Sequence, residues 1–154
     1  MKDTLSVNTL IKPVGSTDVL EIERLLWFSV EQDAAYLIAI EGSKGLPYFM
    51  NLSVVKERLM RREIEILSED PWVRALGEDE LTEAALKMRD SAWRIIETLI
   101  KPEMEPSIYQ KRVRGALVLA VAKSNQVTAT AVYKYLRKFW QRGKTKNALL
   151  PDFD

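Results

Sequence analysis

The residues of this chain best suited to chemistry are cations and hydroxyls. Thr130, Lys134, Arg137, Lys138 and Gln141 recur at intervals of three and four, the spacing that gathers side chains on one helix face. Hydroxyls and cations so arranged suit phosphates and purine edges. Between positions 107 and 151 there are ten Lys or Arg and no Asp or Glu. Residues 105–154 carry +7, residues 1–104 carry −6, and the whole chain carries +1. A one-sided basic stretch is the footprint of a polyanion partner, nucleic acid above all; a solvated helix face is the alternative that charge alone leaves open.

Composition removes most other chemistry. The chain lacks Cys and His. It therefore has no disulfide, no thiol nucleophile, no Ser-His pair and none of the usual zinc ligands. Glu78, Asp79, Glu80 and Glu83 read as helix N-terminal charges that answer the helix dipole. Glu63 and Glu65 alternate along a strand and read as solvent-facing. No catalytic residue, metal ligand or cofactor is assigned. The longest apolar run, 116–122, is far too short to span a membrane, and no signal-peptide pattern opens the chain. A cytoplasmic protein with no membrane partner is expected.

The elements that position the basic face follow from periodicity. With 154 residues and 47% apolar content the chain supports one ordinary domain or two small ones. Apolar stretches at 10–14, 19–30, 35–41 and 64–67 read as strands, with Gln32-Asp33 as a hairpin turn. Asn51 is an N-cap candidate for a helix over 52–62, which buries Val54, Val55, Leu59 and Met60. Residues 5–70 thus read as a small β-rich module with one helix, a partly open barrel. Leu81, Ala85, Met88, Ala92, Ile95 and Leu99 mark an amphipathic helix over 79–100. Further helices follow at 107–122 and about 129–142, the last capped by Thr128 and stopped at Gly143. The fold class is α+β: an antiparallel β-rich module over 1–77, a three-helix bundle over 78–143, and a linker beginning at 144–154.

The last two helices have the marks of a helix-turn-helix. Ala122 is the small residue where the helices meet, and Val127 is the apolar residue after the turn. Val132, Leu136 and Phe139 give the second helix an inner face, with Trp140 near it. The turn departs from the usual pattern: Asn125-Gln126 stands where Gly is common, and Asn tolerates positive φ. The candidate DNA-contacting set is Thr128, Thr130, Ala131, Tyr133, Lys134, Arg137, Lys138, Gln141 and Arg142 on the second helix, Lys111, Arg112 and Arg114 on the first, and Lys144 and Lys146 beyond. Thr130 and Lys134 are expected to read bases; Arg112, Arg114 and Lys144 are expected to hold the backbone. In similar helix-turn-helix domains the first tyrosine contacts a phosphate, which makes Tyr133 the candidate and Tyr135 the core alternative. Trp27, Trp72 and Trp93 have no pattern that separates function from packing. The segment after Gly143 is expected to be extended and to follow the DNA.

The run over 132–153, VYKYLRKFWQRGKTKNALLPDF, resembles the segment that closes the helix-turn-helix in the B-subunit transposases (TnsB) of the heteromeric cut-and-paste Tns transposons. Helix physics gives no reason for its Asn147-Ala148-Leu149-Leu150-Pro151 portion. The β-rich module resembles that family's N-terminus in order and length. The resemblance implies sequence-specific binding of double-stranded DNA at transposon ends, with other transposition subunits as further partners and a place on the bacterial nucleoid. It also implies an integrase-like catalytic domain with three carboxylates and Mg²⁺. That domain would lie beyond residue 154, so the chain is expected to be a non-enzymatic N-terminal fragment without a cofactor. A transcriptional regulator with an N-terminal sensor module, and an adaptor for an acidic partner, are the competing readings.

Overall fold

The computed structural model describes residues 4–74 and 81–152. The chain divides into two units, Met1–Asp70 and Pro71–Asp154. The first is built on five antiparallel strands: β1 (Leu10–Pro13), β2 (Glu23–Ser29), β3 (Ala34–Ala39), β4 (Tyr48–Met50) and β5 (Ile64–Ile66). Their order is β4-β3-β2-β1-β5, so the sheet is open, with β4 and β5 as its edges, and does not form the partly open barrel expected. The short edge strand β4 was also missed, since three residues are too few to show a period. The run at 19–30 splits into a 3-10 turn, Val19–Glu21, and strand β2, because Asp18 caps the turn through the backbone N–H of Leu20.

Strand β2 shows why its apolar run is nearly continuous. Leu25 pairs with Leu37, but Trp27 pairs with Tyr36, so the register shifts between them. The extra residue of this bulge puts Leu25 and Phe28 on the same side of the sheet. Both pack with Ile11, Ala35 and Leu37 against helix α1 (Leu52–Met60), which contributes Leu52 and Val55. Met60, expected on the buried side, is 82% exposed, because it sits in the last turn beyond the sheet-facing stripe.

Asn51 has N-cap backbone geometry, yet its side chain does not cap α1. Asp33, at the hairpin turn with φ +48°, does so from eighteen residues upstream. Its carboxylate accepts from the Ser53 N–H at 2.7 Å and the Ser53 hydroxyl at 2.9 Å, while its carbonyl accepts from the Asn51 amide at 3.1 Å. At the close of the unit, the fully buried Arg24 donates to Asp70 at 2.7 Å and to the Asn8 carbonyl at 3.1 Å.

The second unit is helical. It holds a short helix α2 (Pro71–Arg74), then α3 (Glu83–Ile96), α4 (Lys111–Asn125) and α5 (Ala129–Gln141). Thr82 caps α3 by accepting from the Ala85 N–H at 3.1 Å, so this helix begins later than the position-79 start read from the sequence. The expected acids Glu78, Asp79 and Glu80 lie outside the described residues, as does the 77/78 boundary; Glu83 stands exposed in the first turn. Ala85, Ala92, Ile96 and Leu99 are buried, whereas Met88, expected with them, is exposed. Val118 and Ala122 of α4 pack with Val132, Leu136, Phe139 and Trp140 of α5 in the centre of this unit.

Candidate nucleic-acid interface

The turn between α4 and α5 is a Schellman closure. Gln126 takes the left-handed conformation at φ +57°, its N–H reaches the Lys123 carbonyl, and the Val127 N–H reaches the Ala122 carbonyl at 3.0 Å. The residue with positive φ is therefore Gln126, not Asn125, whose amide instead bonds back to the Val121 carbonyl at 2.9 Å. Thr128 then caps α5 by accepting from the Ala131 N–H at 3.1 Å. That bond occupies the backbone donor of Ala131 and leaves its half-buried methyl as the only group it can offer.

On α5 the buried row is Val132, Leu136, Phe139 and Trp140, as the periodicity predicts. Trp93 lies 6.1 Å from Phe139 and Tyr109 lies 5.6 Å from Trp140, ring centre to ring centre. This row turns Thr130 and Lys134 outward, one helical turn apart and both exposed. Thr128 is exposed just ahead of them. Lys111 and Arg112 are exposed in the first turn of α4. Lys123, exposed in the last turn of α4, joins this set although the sequence reading passed over it; its charge directly before the turn is the clue that was available.

The remaining candidates are placed differently. Arg114 is 2% exposed. Its guanidinium donates to the Tyr109 carbonyl at 2.9 Å and also pairs with the Tyr133 hydroxyl. Burial lowers its pKa, and Tyr133 offsets part of that effect. Arg114 is thus an internal brace rather than the backbone-holding residue expected. Tyr133 is half-buried, and a Cβ added at Gly115 would stand 4.0 Å from its hydroxyl, so the ring lies along α4. Tyr135 is half-buried as well. Arg137 is partly buried, which lowers its pKa.

The largest departure is the segment after α5. Gly143 takes φ +116° and the Lys144 N–H bonds to the Phe139 carbonyl at 2.8 Å, which ends the helix and turns the chain back. A 3-10 turn, Lys146–Leu149, follows and packs on α3 and α5. Ala148, Leu149 and Leu150 are buried. Asn147 accepts from Arg89 of α3 at 2.7 Å, and Lys146 lies 3.3 Å from Asp90. Lys144 donates to Glu105 at 2.7 Å, and the Tyr109 hydroxyl donates to the same carboxylate oxygen. The tail is therefore folded onto the helices, not extended as expected. Lys144 and Lys146 serve that packing, and Phe153 lies outside the described residues. The apolar period of the run was readable; the partners on α3, more than fifty residues upstream, were not.

The returning tail also alters the end of the basic face. Gln141 is 7% exposed, where an outward position was expected, because the chain packs back against this end of α5. Asp152 places one carboxylate oxygen 2.6 Å from Arg142 Nη1 and 3.9 Å from Lys138 Nζ. Arg142 lies over the Trp72 ring, 4.0 Å from its centre. The hydrogen bond from Arg142, aided by the charges of Arg142, Lys138 and Lys134, holds the Asp152 pKa below the usual carboxylate range. Burial pushes the Lys138 pKa down, and so do Arg142 and Lys134, while Asp152 opposes them.

With this geometry in place, residues 89–153 match the family model of the TnsB second domain. The matched stretch begins at Arg89 and takes in α4, α5, the turn between them and the docked tail. The chain is also 29% identical over 126 residues to the transposon Tn7 transposition protein TnsB of Escherichia coli, a match covering 81% of this chain and 17% of that protein. The chain is thus similar to TnsB over most of its own length. It spans about a sixth of that relative's length. The aligned stretch is longer than the helical unit, so the TnsB-like region takes in part of the strand unit as well. Among the described residues no helix is long and apolar enough to cross a membrane, and no three His, Cys, Asp or Glu stand together as metal ligands.

Proposed function

We propose that this chain is the DNA-binding N-terminal region of a transposase that recognises the ends of its own mobile element in double-stranded form. The observation that carries the reading is the N-terminal half of α5. Its apolar row is buried, its opposite face presents Thr128, Thr130 and Lys134, and a Schellman turn joins it to α4. Such a helix can enter a major groove with its first turns toward the base edges. Thr130 and Lys134 then read bases, while Lys111, Arg112 and Lys123 take phosphates on either side. The acid-free stretch supplies the attraction that brings the duplex in. Likeness to a transposition protein supports transposon ends as the target over an operator. Strand cutting and joining, and the Mg²⁺ they need, would belong to a separate integrase-like domain of the whole protein, as would contacts with other transposition subunits.

Footprinting on the two ends of the parent element, beside a scrambled duplex, tests the reading. Protection of repeated sites at both ends is expected. With about four phosphates engaged, log K against log salt should fall with a slope of about −3 to −4. Equal affinity for end and scrambled DNA would remove the end-recognition reading, and a flat salt response would remove the electrostatic one.

A further inference from the structure

We propose that Lys138 and Arg142 form a seat for one DNA backbone phosphate, and that Asp152 fills this seat as an internal stand-in when DNA is absent. The proposal rests on the DNA-binding reading above and adds to it a competition between the chain's own tail and its ligand.

The two cations stand four residues apart at the C-terminal end of α5, so their charges lie on one side rather than scatter. Both are already fixed. Arg142 lies over Trp72, and its side chain and that of Lys138 are 18% and 16% exposed. With its guanidinium carbon over the indole, Arg142 turns Nη1 to the carboxylate, the donor that an oxyanion would meet. One oxygen of Asp152 takes that position and is shared with Lys138, as a phosphate oxygen would be. The carboxylate itself is 67% exposed, so the seat opens to solvent and its occupant can be exchanged.

A carboxylate and a phosphodiester each bring one negative charge, so exchange at the seat is even. The balance tips because the phosphodiester arrives with neighbours that engage other exposed cations of the unit, whereas Asp152 brings none. What moves is limited. Ala148, Leu149 and Leu150 are buried and Asn147 is held by Arg89, so the root of the tail stays docked. Only the chain from about Pro151 onward is released. DNA binding would thus change the course of the chain leaving this unit without unfolding any of it.

The test uses the 154-residue chain with Asp152→Asn and, as a second variant, Asp152→Ala. Two probes are titrated: a transposon-end duplex at low salt, and inorganic phosphate followed by the side-chain Nε–Hε signal of Arg142. An exposed ion pair of this kind is expected to shift affinity about two- to fivefold. Both variants should bind the duplex more tightly than the parent by that factor, and should reach half-saturation at correspondingly lower phosphate. Tighter phosphate binding with no duplex binding by any chain would keep the anion seat and remove the DNA reading. Duplex binding by all three chains with equal or weaker affinity in the variants would overturn the stand-in and leave the DNA reading intact. No gain with either probe, and no duplex binding, would remove both.

Discussion

Cutting the chain after Arg142 tests whether the tail belongs to the helical unit. A tail that merely tracks DNA could be lost at no cost in stability. The structure predicts the opposite. Leu149 and Leu150 are 4% and 1% exposed, and Ala148 is buried beside them. Deleting one buried leucine side chain costs about 2–5 kcal/mol, so losing both removes an amount close to the whole stability of a small domain, about 5–15 kcal/mol. The truncated chain should have no folded helical unit. The single substitution Leu150→Ala is the graded version, expected to cost about 2–4 kcal/mol. At about 4–8 °C per kcal/mol for a unit of this size, melting should fall by about 8–32 °C. Calorimetry with near-ultraviolet circular dichroism reads the outcome, since Trp93 and Trp140 report on the helical unit and Trp27 on the strand unit. Unchanged melting of both variants would show that the segment is not core.

Other expectations follow from the same geometry. Leu136→Asp places a charge at a fully buried site of α5 and should abolish the helical unit's melting transition, which calorimetry would detect. Lys134→Ala should cost about 1–3 kcal/mol on a transposon end and much less on scrambled DNA, whereas Arg112→Ala should weaken both alike; an equal loss for Lys134→Ala in binding assays would make it a phosphate contact. Asp90 and Asp152 have pKa values lowered chiefly by hydrogen bonds from Arg89 and Arg142 respectively. Their contribution to stability is therefore complete above the usual carboxylate range and is lost as pH falls through the lowered values. Carboxyl NMR titration should show the Asp90 and Asp152 pairs intact through mild acid and released only below that range.

Sequence and structure agree where one element decides the outcome alone. The buried row Val132, Leu136, Phe139 and Trp140 is a period within one helix, and Thr128 caps that helix from the adjacent position. Pairings across the chain are where they part. Arg114 looks like a surface cation until Tyr109 and Tyr133 are seen to surround it. The Asn147–Arg89 bond joins two residues that no local pattern connects, and it accounts for the portion of the 132–153 run that helix physics does not. Lys144 and Arg142 read as free charges because Glu105 and Asp152, their partners, lie at other points along the chain. The bulge in β2 was hidden for a related reason: an unbroken apolar run has no alternation to reveal a shift in register.

The Asp33 carboxylate at the start of α1 bears on the order in which the strand unit assembles. Most helices carry their cap next door and can begin to form as isolated segments. Here the N-terminal donor of Ser53 is satisfied only after the β2–β3 hairpin has brought Asp33 into place. A peptide of residues 51–62 would lack that partner and should show little helix. The hairpin should therefore form first, with α1 dependent on it. Loss of the turn, as by Asp33→Ala, should loosen helix and sheet together, so that this small unit gains or loses its structure as one cooperative body.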